Sequence, residues 1–315
     1  MEKTRVIKSN IILLFITVML TQISGCGAKK QMHDNLKNFQ FTCVHEKDVF
    51  PPLDPQADSW FKQAVQLSKQ DNPNFNQIAQ LYRQAAEKGH YKAIGNLQLM
   101  IAEGDIEPSV GKYRTDEVIE LVEHLIQMNI PFGYYIMGTY LERGYGVEQD
   151  KGAAFSYMLK AAVMGNPDGQ YVIGQKFMDG RVPELYRLDL GRAMLACASE
   201  QGFKDASYWL GMSYSMIDKD YSKGLGYFHE AAKQGNSLSA FQLVDAFKTA
   251  DPTNPDYLGQ QIDLERSRRY DLISDEIDEH PNAKFPDIDK IVPLPPAELP
   301  EWDGTFEYKK QQISQ

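Results

Sequence analysis

Five times along this chain an amphipathic run closes on one short pattern, Ala-Ala-x-x-Gly or a relaxed copy of it. It reads Ala85-Ala86-Glu87-Lys88-Gly89, then Ala161-Ala162-Val163-Met164-Gly165, then Ala231-Ala232-Lys233-Gln234-Gly235. A weaker copy is Ala198-Ser199-Glu200-Gln201-Gly202, and a degenerate one has Leu125 at the first alanine position and Asn129 in place of glycine. The closing residues 89, 129, 165, 202 and 235 are spaced 40, 36, 37 and 33 apart. A near-constant period of this size is that of a helical hairpin. One hairpin cannot bury its apolar face alone, so the units must stack into an array.

Each part of the unit has a physical reason. Glycine, or Asn129, suits the left-handed position that ends a helix. Paired alanines let two helices approach. Asn166-Pro167-Asp168 restarts the next helix, with proline tolerated in its first turn. Four residues after the stop comes a small residue: Ala93, Gly133, Gly169 or Ala206. Eight after it comes Leu97, Met137, Ile173 or Leu210, and twelve after it Ile101, Leu141, Phe177 or Tyr214. These offsets share one helical face. Nine after it comes Gly138, Gly174 or Gly211, with Gln98 breaking the pattern. A mid-helix glycine costs about 1 kcal/mol, so its recurrence predicts close contact between helices.

The second unit is the fullest. It runs Met137-Gly138, Leu141-Glu142-Arg143-Gly144-Tyr145-Gly146-Val147-Glu148-Gln149-Asp150, Ala153-Ala154, Tyr157 and Ala161-Ala162. It resembles the Sel-one-like repeat, a tetratricopeptide relative with a glycine-rich loop between its helices. The resemblance covers residues 74–250. It implies an all-α fold: a right-handed α-solenoid of antiparallel helix pairs with a concave inner surface. An additional helix from Ala57 to Lys69 is expected as a cap, with Trp60 and Phe61 packed on the first repeat. Four segments follow: a leader over 1–25, a tether over 26–55, the solenoid over 56–250 and a separate C-terminal region over 251–315.

In solenoids of this kind the first helix of each pair lines the concave side. Six residues after the stop stand Tyr135, Tyr171 and Tyr208. Thr139, Gln175 and Met212 lie one turn further on, and Trp209 adjoins. Tyrosine and tryptophan give large contact area at low entropic cost. These seven residues are the candidate protein-binding face. The other reading is a tyrosine position half-buried between helices.

The N-terminus reads as an address. Lys3, Arg5 and Lys8 precede an uncharged apolar run from Ile11 to Leu20, too short for a membrane span and suited to a signal peptide. The run ends in Ile23-Ser24-Gly25-Cys26, which resembles the bacterial lipobox. The resemblance implies cleavage before Cys26 and a diacylglycerol on its sulfur. Each buried methylene contributes ~0.8 kcal/mol, so two or three chains hold a protein at a membrane. Gly27 in second place implies the outer membrane, facing the periplasm. A flexible tether over 27–55 would reach roughly 30 Å. Cys43 and Cys197 remain; the periplasm permits a disulfide between them, while Cys197 in an alanine-rich helix also suits a buried thiol.

From Asp251 the periodicity changes. Residues 260–279 predict one charged helix, in which Arg266, Arg268 and Arg269 sit among Glu265, Asp271, Asp275 and Glu276. That pattern predicts a solvated, internally paired face; a cluster that receives an anion is the other reading. From Pro281 to Pro300 lie six of the sixteen prolines, which favours an extended strap. Ile288, Ile291, Val292, Leu294, Leu299, Trp302 and Phe306 are too apolar for a plain disordered tail. The strap is expected to lie along the solenoid and bury Trp302; an exposed partner-binding peptide is the alternative. Its Val-Pro-Leu-Pro-Pro and Trp-Asp-Gly-Thr-Phe runs resemble a region of uncharacterised function that follows such repeats in bacterial lipoproteins.

The chain has 315 residues, a net charge of -10 and a pI near 5.2. Loss of the leader takes the charge to about -12. No basic surplus exists to neutralise phosphates, so nucleic acid is excluded as a partner. No Gly-x-Ser-x-Gly elbow, phosphate loop, His-Glu-x-x-His or Cys-x-x-Cys occurs. The six histidines are scattered, with no second ligand at metal-site spacing. His229, in Tyr227-Phe228-His229-Glu230, reads as a surface helix position. No catalytic residue, cofactor, metal or small-molecule substrate is therefore expected. Sel-one-like lipoproteins of this kind resemble immunity proteins against phospholipase effectors of type VI secretion systems. The resemblance implies a membrane-tethered protein that occludes a toxic effector. The alternative is an envelope scaffold that organises other periplasmic proteins.

Overall fold

The computed structural model describes residues 38–309; the leader, Cys26 and the first part of the tether lie outside the described residues. The regular elements among the described residues are helices, as the repeat predicts. The helices are α1 (Pro55–Ser68), α2 (Phe75–Glu87), α3 (Tyr91–Glu103), α4 (Arg114–Gln127), α5 (Pro131–Arg143), α6 (Lys151–Val163) and α7 (Pro167–Met178). There follow α8 (Leu188–Glu200), α9 (Lys204–Ser213), α10 (Tyr221–Lys233), α11 (Ser237–Ala246), α12 (Leu264–Glu279) and the single turn α13 (Ile288–Ile291). The chain divides into two compact units, the first ending at Arg187 and the second beginning at Leu188. Within each unit, successive helices pack against one another. Among the described residues no helix is long and apolar enough to cross a membrane.

The helix stops are built as the sequence predicts. Gly89, Asn129, Gly165, Gly202 and Gly235 all adopt positive φ, from 56° to 105°. The residue after each stop donates its N–H to the carbonyl at the pattern's first position. His90 reaches Ala85, Ile130 reaches Leu125, Asn166 reaches Ala161, Phe203 reaches Ala198 and Asn236 reaches Ala231, all at 2.9–3.1 Å. This is the Schellman closure, which satisfies a carbonyl that the ended helix would orphan. The next helix often starts on a side-chain cap: Asn166 Oδ1 accepts the Gly169 N–H and Asn236 Oδ1 accepts the Ser239 N–H, both at 2.8 Å.

The recurrent small residues mark close approach. A Cβ added to Gly133 would lie 2.6 Å from the Leu125 Cβ, and one on Gly138 would lie 2.7 Å from the Met158 Cγ. Gln98, which breaks the glycine pattern, is buried and accepts the Tyr140 hydroxyl at 2.8 Å. In the first unit, Asp54 caps α1, which begins two residues before the expected Ala57. Trp60 and Phe61 pack on the core of α2–α4. The described part of the segment read as a tether lies against this unit: Phe50 stacks on Tyr91 at 4.4 Å, and Gln170 donates to the Val44 carbonyl at 3.0 Å.

The second unit departs further from expectation. Helix α12 starts at Leu264, not at 260, because the Asp263 side chain caps it by accepting the Arg266 N–H. Its arginines do not form a solvated face. Arg268 does pair with Glu265 at the surface, but Arg266 and Arg269 are buried. Arg266 donates to the carbonyls of Pro293 (3.1 Å) and Ala297. Arg269 donates to those of Ile291 (2.5 Å) and Pro300 (2.8 Å), and to Glu265 (2.8 Å). The proline-rich strap lacks ladder partners for these carbonyls, and two guanidinium forks supply them. Phe285, Ile288, Ile291, Val292 and Phe306 join one core with Phe228, Leu243, Phe247 and Tyr270. Trp302 is only half-buried; its indole N–H donates to the Thr305 carbonyl, and Arg269 lies 5.6 Å over its ring.

His229 is likewise not a surface residue: it is 5% exposed. Its Nε2 lies 2.9 Å from Asp289 Oδ1 and its Nδ1 lies 2.6 Å from the Tyr270 hydroxyl. Asp289, held below the usual carboxylate range by Lys233 and His229 despite its partial burial, can only accept. Nε2 therefore carries the proton, and Nδ1 accepts from Tyr270. Cys43 and Cys197 are both disulfide-bonded, so neither is a free thiol.

Two outcomes are expected. Arg269→Met strips two strap carbonyls of their donor and destabilises the protein by about 2–3 kcal/mol in chemical denaturation. Arg269→Lys does not restore it, because an ammonium cannot span both carbonyls. Burial also lowers the pKa of both His229 and His90, whose Nδ1 caps α3 by accepting the Ala93 N–H. Both rings are neutral in the fold and take up protons on unfolding. Stability is therefore complete above the unfolded-state value of about 6.5 and falls as pH drops below it, by at most about 1.4 kcal/mol per pH unit per ring. Equilibrium unfolding across that range checks the slope, and His229→Gln should flatten it.

Candidate functional site

The seven residues of the predicted face take different surroundings, and each unit holds its own set. In the first unit Tyr135 on α5 and Tyr171 on α7 are half-buried. Burial raises the pKa of the Tyr135 hydroxyl, and the negative charge of Asp168 adds to the effect. Thr139 is turned onto its own helix, donating to the Ile136 carbonyl at 2.7 Å. Gln175 is half-buried. Asp168 sits in the first turn of α7, and burial raises its carboxyl above the usual range. Glu46 is raised for the same reason and accepts from Asn166 Nδ2 at 3.1 Å. This is a half-dry, acidic and aromatic surface.

In the second unit the three predicted residues separate. Tyr208 and Met212 pack on the core, with Tyr208 5.9 Å from Phe228 by ring centroid. Trp209 stands edge-on to Tyr208 at 6.1 Å and is 41% exposed. The register continues where the sequence reading stopped. Six residues beyond Gly235 stands Phe241 on α11, 57% exposed, with Leu238 one turn before it, 61% exposed. The count that found the tyrosines also reaches Phe241; restricting it to tyrosine hid the position. In the first repeat the same count falls on Gly95, where a Cβ would meet the Phe132 ring at 2.8 Å, so no side chain fits there.

A separate cleft of about 660 Å³ opens beside the strap, lined by Glu200, Tyr227, Glu230, Lys233, Gln234 and Lys284 among others. Lys233 is paired with Asp289 at 2.8 Å, and Glu230 accepts from Gln234 at 2.8 Å. The polar groups at this wall hold the strap and helix end in place.

Comparison with known proteins bears on what such faces do. The Sel1 repeat matches at residues 79–90, 131–166 and 204–236, and a domain of unknown function, DUF6396, matches residues 239–315. No curated protein matches the sequence. Among solved structures, the immunity protein PA5088 from Pseudomonas aeruginosa is 32% identical, with a TM-score of 0.64 over 81% of this chain and 94% of that one. Immunity protein Pa5087 from the same organism is also 32% identical, with a TM-score of 0.60 over 82% of this chain and 95% of that one. A Sel1 repeat protein from Oxalobacter formigenes, 20% identical with a TM-score of 0.56 over 70% of this chain and 87% of that one, shares the fold.

The two burial classes on the second-unit face make opposite demands. Tyr208→Ala removes a ring that packs on the core and should cost about 2 kcal/mol of stability. Trp209→Ala should leave the unfolding midpoint nearly unchanged, as exposed positions do. Thermal denaturation of the two variants checks the contrast.

Proposed function

The chain belongs to the same family as the P. aeruginosa immunity proteins PA5088 and Pa5087 and itself carries Sel1 repeats and a C-terminal DUF6396, and we propose that it too is an immunity protein. The similarity runs over 94% and 95% of the lengths of those two proteins, and this observation carries the reading. The chain acts by binding rather than by chemistry: its helix faces grip a toxic effector and occlude its active cleft. A phospholipase-like effector of a type VI secretion system is the target. The physical setting supports this. A net charge of -10 speeds encounter with a basic protein. A diacylglycerol on Cys26 would hold the chain in the periplasm at the membrane surface where a lipase acts.

Co-expression with a type VI secretion phospholipase effector of the same organism, directed to the periplasm, tests the reading. Cells carrying this chain survive, and cells without it lyse. Cys26→Ser moves the protein from the membrane to the soluble fraction and lowers protection. Equal killing with and without the chain contradicts immunity. Capture of several envelope proteins with no protection identifies a scaffold instead.

A further inference from the structure

Resting on that reading, we propose that the exposed apolar face of α9 and α11 receives an apolar segment of the toxin flanked by lysine or arginine. Three large side chains stand on these two helices, Trp209 on α9 and Leu238 and Phe241 on α11. Trp209, Leu238 and Phe241 are 41%, 61% and 57% exposed. On α11 the buried stripe is Ser239, Ala240, Leu243 and Val244, so Leu238 and Phe241, one turn apart, face away from the core. The helices are tied at their N-terminal ends: Asn236 Nδ2 donates to Asp205 Oδ1 at 2.9 Å, and Lys204 Nζ donates to the Gly235 carbonyl at 2.9 Å. The face is therefore set before a partner arrives, which lowers the ordering cost of binding. Large aromatic side chains held on rigid helices are the usual anchors of an interface.

The rim decides the partner's charge. Asp205 lies beside the α11 N-terminus. Asp245 follows Phe241 by one turn, and Asp256 accepts from Gln242, the neighbour of Phe241, at 3.3 Å. Two cations balance them in part. Lys248 pairs with Asp245 at 3.2 Å, and Lys204 is engaged with a backbone carbonyl. The loop from Thr249 to Asp263 adds Asp251 and carries no lysine or arginine; Asp263 at its end is paired with Arg266 and is not part of the rim. An apolar centre within a carboxylate rim, on a chain of net charge -10, complements an apolar segment between cationic side chains.

The test uses the full chain and a catalytically inactivated copy of the phospholipase effector used in the protection assay, with affinity measured at two salt concentrations. The double variant Trp209→Ala/Phe241→Ala should bind at least ~100-fold more weakly, as truncation of two anchors does. Asp245→Lys/Asp256→Lys should slow association at least ~10-fold and flatten its salt dependence. Unfolding midpoints of both variants should match the parent, because all four side chains lie outside the core. A parent chain that binds and protects while both variants bind as tightly overturns this inference and leaves the immunity reading standing. A parent chain that neither binds nor protects removes both. A parent dimer that Phe241→Ser dissociates shows that a second copy of this chain occupies the face, and overturns the inference too.

Discussion

Everything in this molecule depends on ending helices on schedule. Each repeat closes when one residue enters the left-handed region and the next returns its N–H to the carbonyl five positions back. That closure sets where the following helix starts, and so which side chains face a neighbour. A glycine four residues later, as at Gly133, then lets the helices touch. The positions further along are fixed in turn, including the one six residues on that carries Tyr135, Tyr171, Tyr208 and Phe241. The exposed helix faces follow from the turn chemistry.

The end of the array poses a different problem, since a last repeat has an apolar side with no successor. Here it is covered by α12 and the strap. A proline-rich segment brings apolar side chains but also carbonyls without partners. Arg266 and Arg269 answer that by donating from a helix to four strap carbonyls. The His229 chain through Tyr270 and Asp289 pins the same segment from the α10 side. Core and polar network are complementary: Phe285 and Phe306 bury the strap while the network fixes its path.

The repeat itself was legible because its signals are local. Stop residues, small contact positions and the apolar stripe all fall within one period. What the sequence concealed depends on distant partners. His229 meets Tyr270 and Asp289, 41 and 60 residues away, and nothing about its own helix reveals them. Arg266 and Arg269 sit among carboxylates in the sequence, so surface pairing was the natural expectation; their backbone partners lie 22 to 31 residues further on, in a segment without periodicity. The count of six from the stop reaches Tyr208, with Trp209 adjoining, but it does not separate Tyr208, which packs inward, from Trp209 and Phe241, which are exposed.

Hydroxyl-radical footprinting of the chain, alone and with the inactivated phospholipase effector, reads the faces residue by residue. If these helices are a scaffold for gripping a protein, oxidation of Trp209 and Phe241 falls sharply in the complex, while exposed Tyr113 and Val110 on the α3–α4 loop keep their reactivity. Undiminished oxidation of Trp209 and Phe241 in a saturated complex would show that the toxin is held elsewhere.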